Sequence, residues 1–506
     1  MDNMILMTDS YKASHWKQYP PNTTDVYSYI EARGGDFPET VFFGLQMILK
    51  KFFVRPITQE MIDEADEFFK AHGEPFNKEG WEYILKKHNG FLPLRIKAVP
   101  EGRRVNLKNI LVSVENTDPE CYWLTSYIET VLMRAVWYPT TVATNSFRAK
   151  RLIYDFLKAT CDDPDNQIMF RLHDFGGRGV SSGESAEIGG AAHLVNFMGS
   201  DTVEGIWAAN KYYNAGMAGF SIPAAEHSTI TVWGRGNEKE AYENMVNAYA
   251  GPGKIYACVS DSYDIYNAAD KIWGQELKGL VLKAGGTLVV RPDSGHPPTV
   301  VARLLQILGD RFGYTINGKG YKVLNPVVRV IQGDGCTLQM INEILHEMWK
   351  NQWSAENVAF GMGGGLLQKL DRDTFKFAMK ASYAKVNGKD VAVFKEPITD
   401  ATKVSKKGKL ALVETMDGYE TVEQGGKWYD RDVLETVPGG RNGIRTQILC
   451  LRGRIHSVGV AETEIRLRFL TRRDPVEVDA LFVRRLRADE RPVSPLCGEQ
   501  IVRTDL

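Results

Sequence analysis

KIYACVSDSYDIYNAADKIWGQELKGLVLKAGGTLVVRPDSG, residues 254–295, holds two short apolar runs, each closed by a polar cluster, with one amphipathic stretch between them. KIYACV and GTLVVR are compact runs rich in β-branched and aromatic residues, the pattern of buried strands, and DIYNAADKIWGQELKGLVLKAG has helical spacing. Strand, crossover helix and strand make the unit of a parallel sheet. The pattern extends outward in both directions. Between Phe170 and Gly365 there are six such clusters: HDFGGRGVSS (173–182), AEHS (225–228), SDSYD (260–264), RPDSG (291–295), QGDG (332–335) and GMGGG (361–365). PVVRVI and NVAF read as further strands, and TVVARLLQILGDRFG as a further helix. A parallel sheet or β/α barrel follows, and such folds bring the residues after each strand to one face, where ligands bind. The clusters are predicted to converge on one site.

Carboxylates (Asp174, Asp261, Asp293, Asp334), guanidinium groups (Arg178, Arg291), a histidine and bare glycine backbone stand in those clusters. A site holding phosphates beside a sugar needs that mixture. Arginine forks onto phosphate oxygens, glycine turns let backbone N–H groups approach an anion, and carboxylates hold sugar hydroxyls or Mg²⁺. The plain alternative for each Asp is that it caps the helix that follows it.

The 506 residues exceed one hydrophobic core, so two or three domains are expected. A net charge of −1 argues against a nucleic-acid protein driven by bulk electrostatics. No secretory signal or membrane span is visible, and the six cysteines form no metal-type pair. A reduced, cytoplasmic setting is the expectation. Residues 1–140 mix strands (LPLRIKAVP, NILVSVENT) with a long buried helix, ECYWLTSYIETVLMRAVWYP, that leads into the barrel at 141–375. Residues 376–436 read as hairpins, with Asn387-Gly388 and Asp417-Gly418 as turns. The two flanks are expected to form one β-rich domain. KVSKKGK (403–409) reads as an exposed basic loop, either simply solvated or a lid over phosphates.

TDSYKASHWKQYPPNT (8–23), ENTDPECYWLTSYIET (115–130), LHDFGGRGVSS, SIPAAEHSTIT, VSDSYDIYNA, RPDSG, VIQGDG, GGGLLQKL and SKKGKL occur in this order over roughly residues 5–435. Together they resemble the nicotinamide phosphoribosyltransferases, of the type II phosphoribosyltransferase family. The resemblance implies an irregular α/β barrel, a β-rich domain, and a homodimer with shared active sites. It also implies synthesis of nicotinamide mononucleotide and diphosphate from nicotinamide and 5-phosphoribosyl 1-diphosphate.

The chemistry of that reaction suits Arg178 and Arg291 to the diphosphate, Asp293 and Asp334 to the ribose hydroxyls, and Gly333, Gly363 and Gly364 to the 5′-phosphate, with Arg372 adding charge; the resemblance implies phosphate and nucleotide contacts at Arg178, His227, Arg291, Asp293, Gly333, Asp334, Gly364 and Arg372. Phe175 and Tyr11 of the partner subunit are implied to stack on the pyridine ring, and Asp201 to accept from the carboxamide; capping the next helix is the alternative role for Asp201. His227 is implied to take a phosphoryl group from ATP, with Mg²⁺ bridging phosphates. The catalytic set is thus His227, Arg291 and Asp293, with no metal ligands assigned. A carboxylate at Asp201 favours an amide and repels nicotinate.

Met362 and Ala257 stand where the family often has serine, and the loop at 34–39 is short. From about Val437 the resemblance stops, and residues 437–506 contain no lysine while arginine recurs. That tail reads as a fortuitous extension or as an anion-binding arm. Two other readings stay open: a nicotinate phosphoribosyltransferase, and a catalytically silent relative that binds nucleotide or a protein. A barrel glycosidase would not need both arginines and a glycine cradle.

Overall fold

In a computed structural model the described residues are 3–399, 404–416 and 418–437. The lysine-free tail beyond residue 437 and the turn residue Asp417 lie outside them. The described residues divide into two compact units, one taking in residues 3–144, Asn210–Ala215 and those from Leu370 to residue 437, the other Asn145–Ala209 and Gly216–Lys369. The 370–375 stretch and a short piece of the central sequence thus belong to the first unit.

The first unit is built on a six-stranded sheet whose neighbouring strands all run antiparallel. Its centre pairs Thr23–Ala32, from one end of the chain, with Phe377–Val386, from the other, and with Ile110–Asn116. Thr23–Ala32 is almost wholly buried, its consecutive residues Val26–Ala32 covered on both faces of the sheet. Val386 pairs with Lys389 across a two-residue turn in which Asn387 (φ 51°) and Gly388 (φ 72°) are both left-handed, the geometry an Asn-Gly pair favours.

The second hairpin differs from expectation. Thr415 pairs with Gly418, so Gly418 opens the returning strand and is not the second turn residue. The SKKGK stretch also departs from an exposed loop: Lys406 is ion-paired with Glu31, and Lys409 meets Glu115 at 2.7 Å. Those two lysines are engaged by carboxylates of the sheet.

The second unit holds six strands in the order Gly199–Ser200, Leu172–Asp174, Val358–Met362, Val328–Gln332, Thr287–Arg291, Ile255–Val259. Every adjacent pair is parallel. The segment 220–224 bridges both edges: Phe220 bonds with Met198 and Ser200, and Pro223 and Ala225 with Ala257. It closes the sheet into an irregular β/α barrel. Pro297–Phe312 is the expected helix. The stretch after SDSYD begins as a helix at Ile265–Asn267, widens to π geometry over Ala268–Glu276, and resumes at Lys278–Ala284. The expected helix near residues 120–139 starts in short pieces and then runs as one helix over Glu129–Thr160, with Pro139 inside it.

Candidate active site

Strand side chains alternate between the two faces of a sheet, and in the barrel one alternating set points inward. Ile255, Ala257, Val289, Ile331 and Ala359 form its apolar lining, with Phe175 and Ile222 packed on it. Following the same period off the strand ends gives Val259, Arg291, Asp293, Gly333 and Gly363, which line a polar cleft. An apolar pocket and an open polar cleft therefore lie in line. Phe175, Asp201, Ala224 and Arg291 line both.

Of the residues singled out from sequence, the cleft brings together Phe175, Arg178, Asp201, His227, Arg291, Asp293, Gly333, Asp334, Gly363 and Gly364. Tyr11 and Arg372 belong to the other unit. Tyr11 is 54% exposed on the segment Ser10–Lys17, and Arg372 bonds Asp373 at 3.0 Å.

Helix capping does not account for the strand-end acids. Ser182, Asp264 and Thr337 cap the helices that follow three of the strands, and His296 stands at the cap position before Pro297–Phe312. Asp261, Asp293 and Asp334 are left for other work. Asp261 is nearly buried, its side chain 3% exposed; one oxygen meets His227 Nε2 at 2.9 Å, and the other accepts from the Asp293 backbone N–H at 3.0 Å. His227 Nδ1 then lies 3.9 Å from Asp293 Oδ2. His227 opens the short helix His227–Thr231, whose cap Glu226 receives the Ser228 hydroxyl.

Arg291 donates Nε and Nη2 to Asp293 Oδ1 at 3.0 and 2.5 Å, and its guanidinium lies 5.8 Å from the Phe175 ring centre. That ring owes its place to a glycine, because a Cβ on Gly361 would come within 2.0 Å of it. The Asp201 carboxylate accepts from the Ser221 hydroxyl. Asp174 does not open onto the cleft: it is fully buried, Oδ1 accepts from Gly176 N–H at 2.7 Å, and burial pushes its pKa up to about 6.

Sequence reasoning left Ser221, Lys369, Thr202 and Glu204 unassigned, although Ser221 lines the apolar pocket and the other three the cleft. Asp261 stood among the strand-end acids without a role. Its signal was that a second acid, Asp264, was present to cap. Among charged side chains the cleft has three cations, Arg178, Arg291 and Lys369, against five carboxylates, Asp201, Glu204, Glu226, Asp293 and Asp334. The one group of His, Cys, Asp or Glu side chains close enough together to hold a metal among the described residues is His88, Asp118 and Cys121, in the other unit.

Two family models match: the nicotinate phosphoribosyltransferase (NAPRTase) family over residues 170–432, and the nicotinamide phosphoribosyltransferase N-terminal domain over residues 3–96. The nicotinamide phosphoribosyltransferase of Xanthomonas campestris is 54% identical over 413 residues, covering 82% of this chain and 88% of that one. That of Acinetobacter baylyi is 34% identical over 461 residues, covering 84% and 91%. Among solved structures, the nicotinate-nucleotide pyrophosphorylase of Pyrococcus furiosus superposes with a TM-score of 0.53 at 15% identity, covering 87% of this chain and 89% of that one. Human nicotinic acid phosphoribosyltransferase gives 0.53 at 15%, covering 86% and 87%. At that identity the likeness speaks for the fold, the type II phosphoribosyltransferase barrel. With two thirds of the cited relatives' length exceeded and more than half of the aligned positions shared with one of them, this chain belongs to the nicotinamide phosphoribosyltransferase family.

Proposed function

We propose that the chain is a pentosyltransferase that joins nicotinamide to 5-phosphoribosyl 1-diphosphate, releasing diphosphate and nicotinamide mononucleotide in NAD salvage. The observation that carries this reading is the junction of the two cavities at Phe175, Asp201 and Arg291. A flat pyridine ring suits the apolar slot, where aromatic faces stack with offset geometry. The sugar and phosphates suit the charged cleft, and the new C–N bond forms where the two meet.

The ring nitrogen attacks C1′ as the diphosphate departs through an oxocarbenium-like state, so catalysis rests on orientation and on stabilising the leaving anion. Arg178 and Arg291 bind that anion, and Asp293 and Asp334 hold the ribose hydroxyls. Gly333, Gly363 and Gly364 present backbone N–H groups to the 5′-phosphate, with Arg372 adding charge. Asp201, oriented by Ser221, accepts from the carboxamide N–H₂. Nicotinate would set a second carboxylate against it, which disfavours the nicotinate reading.

A cleft with more carboxylates than cations fits a substrate that arrives with a divalent metal. The donors are all oxygens, as Mg²⁺ requires, and Asp293 and Asp334 would hold it together with substrate oxygens. Bound there, Mg²⁺ would neutralise phosphate charge. ATP is a coupled substrate: His227 Nδ1 takes its γ-phosphoryl group, ADP leaves, and water later releases phosphate. Asp261 supports this by holding Nε2–H, which leaves Nδ1 as the nucleophile.

A homodimer with shared sites belongs to the reading, Tyr11 of the partner subunit stacking on the ring. Val203, Trp207, Met217, Val232 and Trp233 expose apolar surface on segments beside the cleft, which suits a second copy. A cytoplasmic setting is supported by the cysteines among the described residues, Cys121, Cys161, Cys258 and Cys336, which are all free and buried.

The test is a product assay with phosphoribosyl diphosphate, Mg²⁺ and competing nicotinamide and nicotinate, with and without ATP. Formation of nicotinamide mononucleotide, stimulated by ATP, is expected. Absence of the mononucleotide would reject the function, and unchanged ATP hydrolysis in His227→Ala would reject the phosphohistidine.

A further inference from the structure

We propose that Lys369 binds the 5′-phosphate of the ribosyl donor within its own subunit, as the charge that completes the Gly363–Gly364 backbone cradle. The inference rests on the phosphoribosyl reading above and adds a residue to it. Of the three cations lining the cleft, Arg291 is already engaged twice by Asp293. Lys369 is exposed, and among the described residues its ammonium meets no carboxylate.

Its backbone is tied to the cradle itself, since Lys369 N–H bonds the Gly364 carbonyl at 2.7 Å. Gly364 is the informative neighbour. It has no left-handed φ, and a Cβ built on it would meet nothing within 4 Å. Neither chain geometry nor packing demands glycine there, so the empty volume is available to a ligand. Across that space Gly179, beside Arg178, directs its missing Cβ to within 3.8 Å of Gly364 N. Two bare loops thus face each other, with Arg178 on one and Lys369 on the other.

A phosphate monoester at this place would meet backbone N–H groups that carry no net charge. An ammonium supplies the point charge that such a dianion lacks in a cleft dominated by carboxylates. Arg372 lies in the other unit and bonds Asp373, so Lys369 gives each barrel a phosphate cation of its own.

Binding of ribose 5-phosphate to the full chain, followed by calorimetry, tests this without relying on turnover. Lys369→Met should weaken binding at least tenfold, and Lys369→Arg should stay within threefold of the parent. In steady-state assays Lys369→Met should raise KM for the donor by a similar factor while KM for nicotinamide moves less than twofold. Equal binding by parent and Lys369→Met, no binding by the parent, or equal rises in both KM values would overturn the proposal. A parent that binds ribose 5-phosphate through Lys369 yet makes no mononucleotide would sink the transferase reading and leave this one standing.

Discussion

His227 and Asp261 stand 34 positions apart in sequence and 2.9 Å apart in space. Holding Nε2 matters only for chemistry at Nδ1. Asp261→Asn should therefore cut ATP hydrolysis at least tenfold while leaving ATP-free synthesis within a few fold, read from parallel assays of phosphate and mononucleotide; equal losses would mean a general structural role. At Asp201, replacement by Asn offers an amide that can donate as well as accept. The preference for nicotinamide over nicotinate in kcat/KM should fall by about tenfold or more, because the like-charge contact that rejects nicotinate is removed.

Asp174 provides a stability test with a definite sign. Its native pKa, pushed up to about 6 by burial, exceeds the usual 3.8. Its contribution is full below the lower value and is lost as pH rises through the higher, where an uncompensated buried charge costs up to about 3 kcal/mol. Asp174→Asn keeps an acceptor for Gly176 N–H, so it should melt above the parent at pH 8, by about half as much at pH 5, and close to it only below pH 3.8. A difference of the same size at all three would refute this. Sequence could nominate such acids by their place after a strand. It could not separate Asp261, which holds a histidine, from Asp174, which holds a turn, because that depends on which way the chain bends after its last paired residue.

The parallel strands were legible because burial on both faces leaves compact apolar runs, and the helices between them because their apolar stripe repeats with the helical period. Less legible were features decided by contact between distant segments. The returning strand after Thr415 begins at Gly418, since pairing across the hairpin rather than a dipeptide preference sets its register. Lys406 and Lys409 look solvent-bound in sequence, but carboxylates of strands far away in the chain hold them. Pro139 suggests a helix end, and tertiary packing overrides it. In the strand Val358–Met362, Gly361 is glycine because of Phe175. Gly361→Ala should displace that ring, raising KM for nicotinamide at least tenfold with a smaller change in KM for the donor. If both constants stayed put, Phe175 would not be the ring's platform.

For the whole molecule, the two-unit division carries a different test. His193 is buried, its Nδ1 beside the Ser146 hydroxyl at 3.0 Å and its Nε2 beside the Gly199 carbonyl at 3.1 Å, and burial pushes its pKa down to about 3. A depressed native value means stability is full above the usual 6.5 and is lost as pH falls below it, by up to about 5 kcal/mol. Urea midpoints of the parent should fall between pH 6.5 and 4, and those of His193→Gln should fall less; parallel curves would assign acid sensitivity to other groups. Both ends of the described chain meeting in one antiparallel sheet was legible only as a guess from pattern, because strand partners hundreds of residues apart leave no local mark.

The segment 220–224 is the clasp of a hoop. It joins the barrel's two edges through a few main-chain bonds, where the other neighbours share ladders, and it also carries Ser221 and Ala224 into the pocket. The amides of Phe220, Ala225 and Ala257 should thus take up deuterium sooner than those of the central staves, and a ligand lodged against Ser221 should slow them: an occupied barrel is a buckled one.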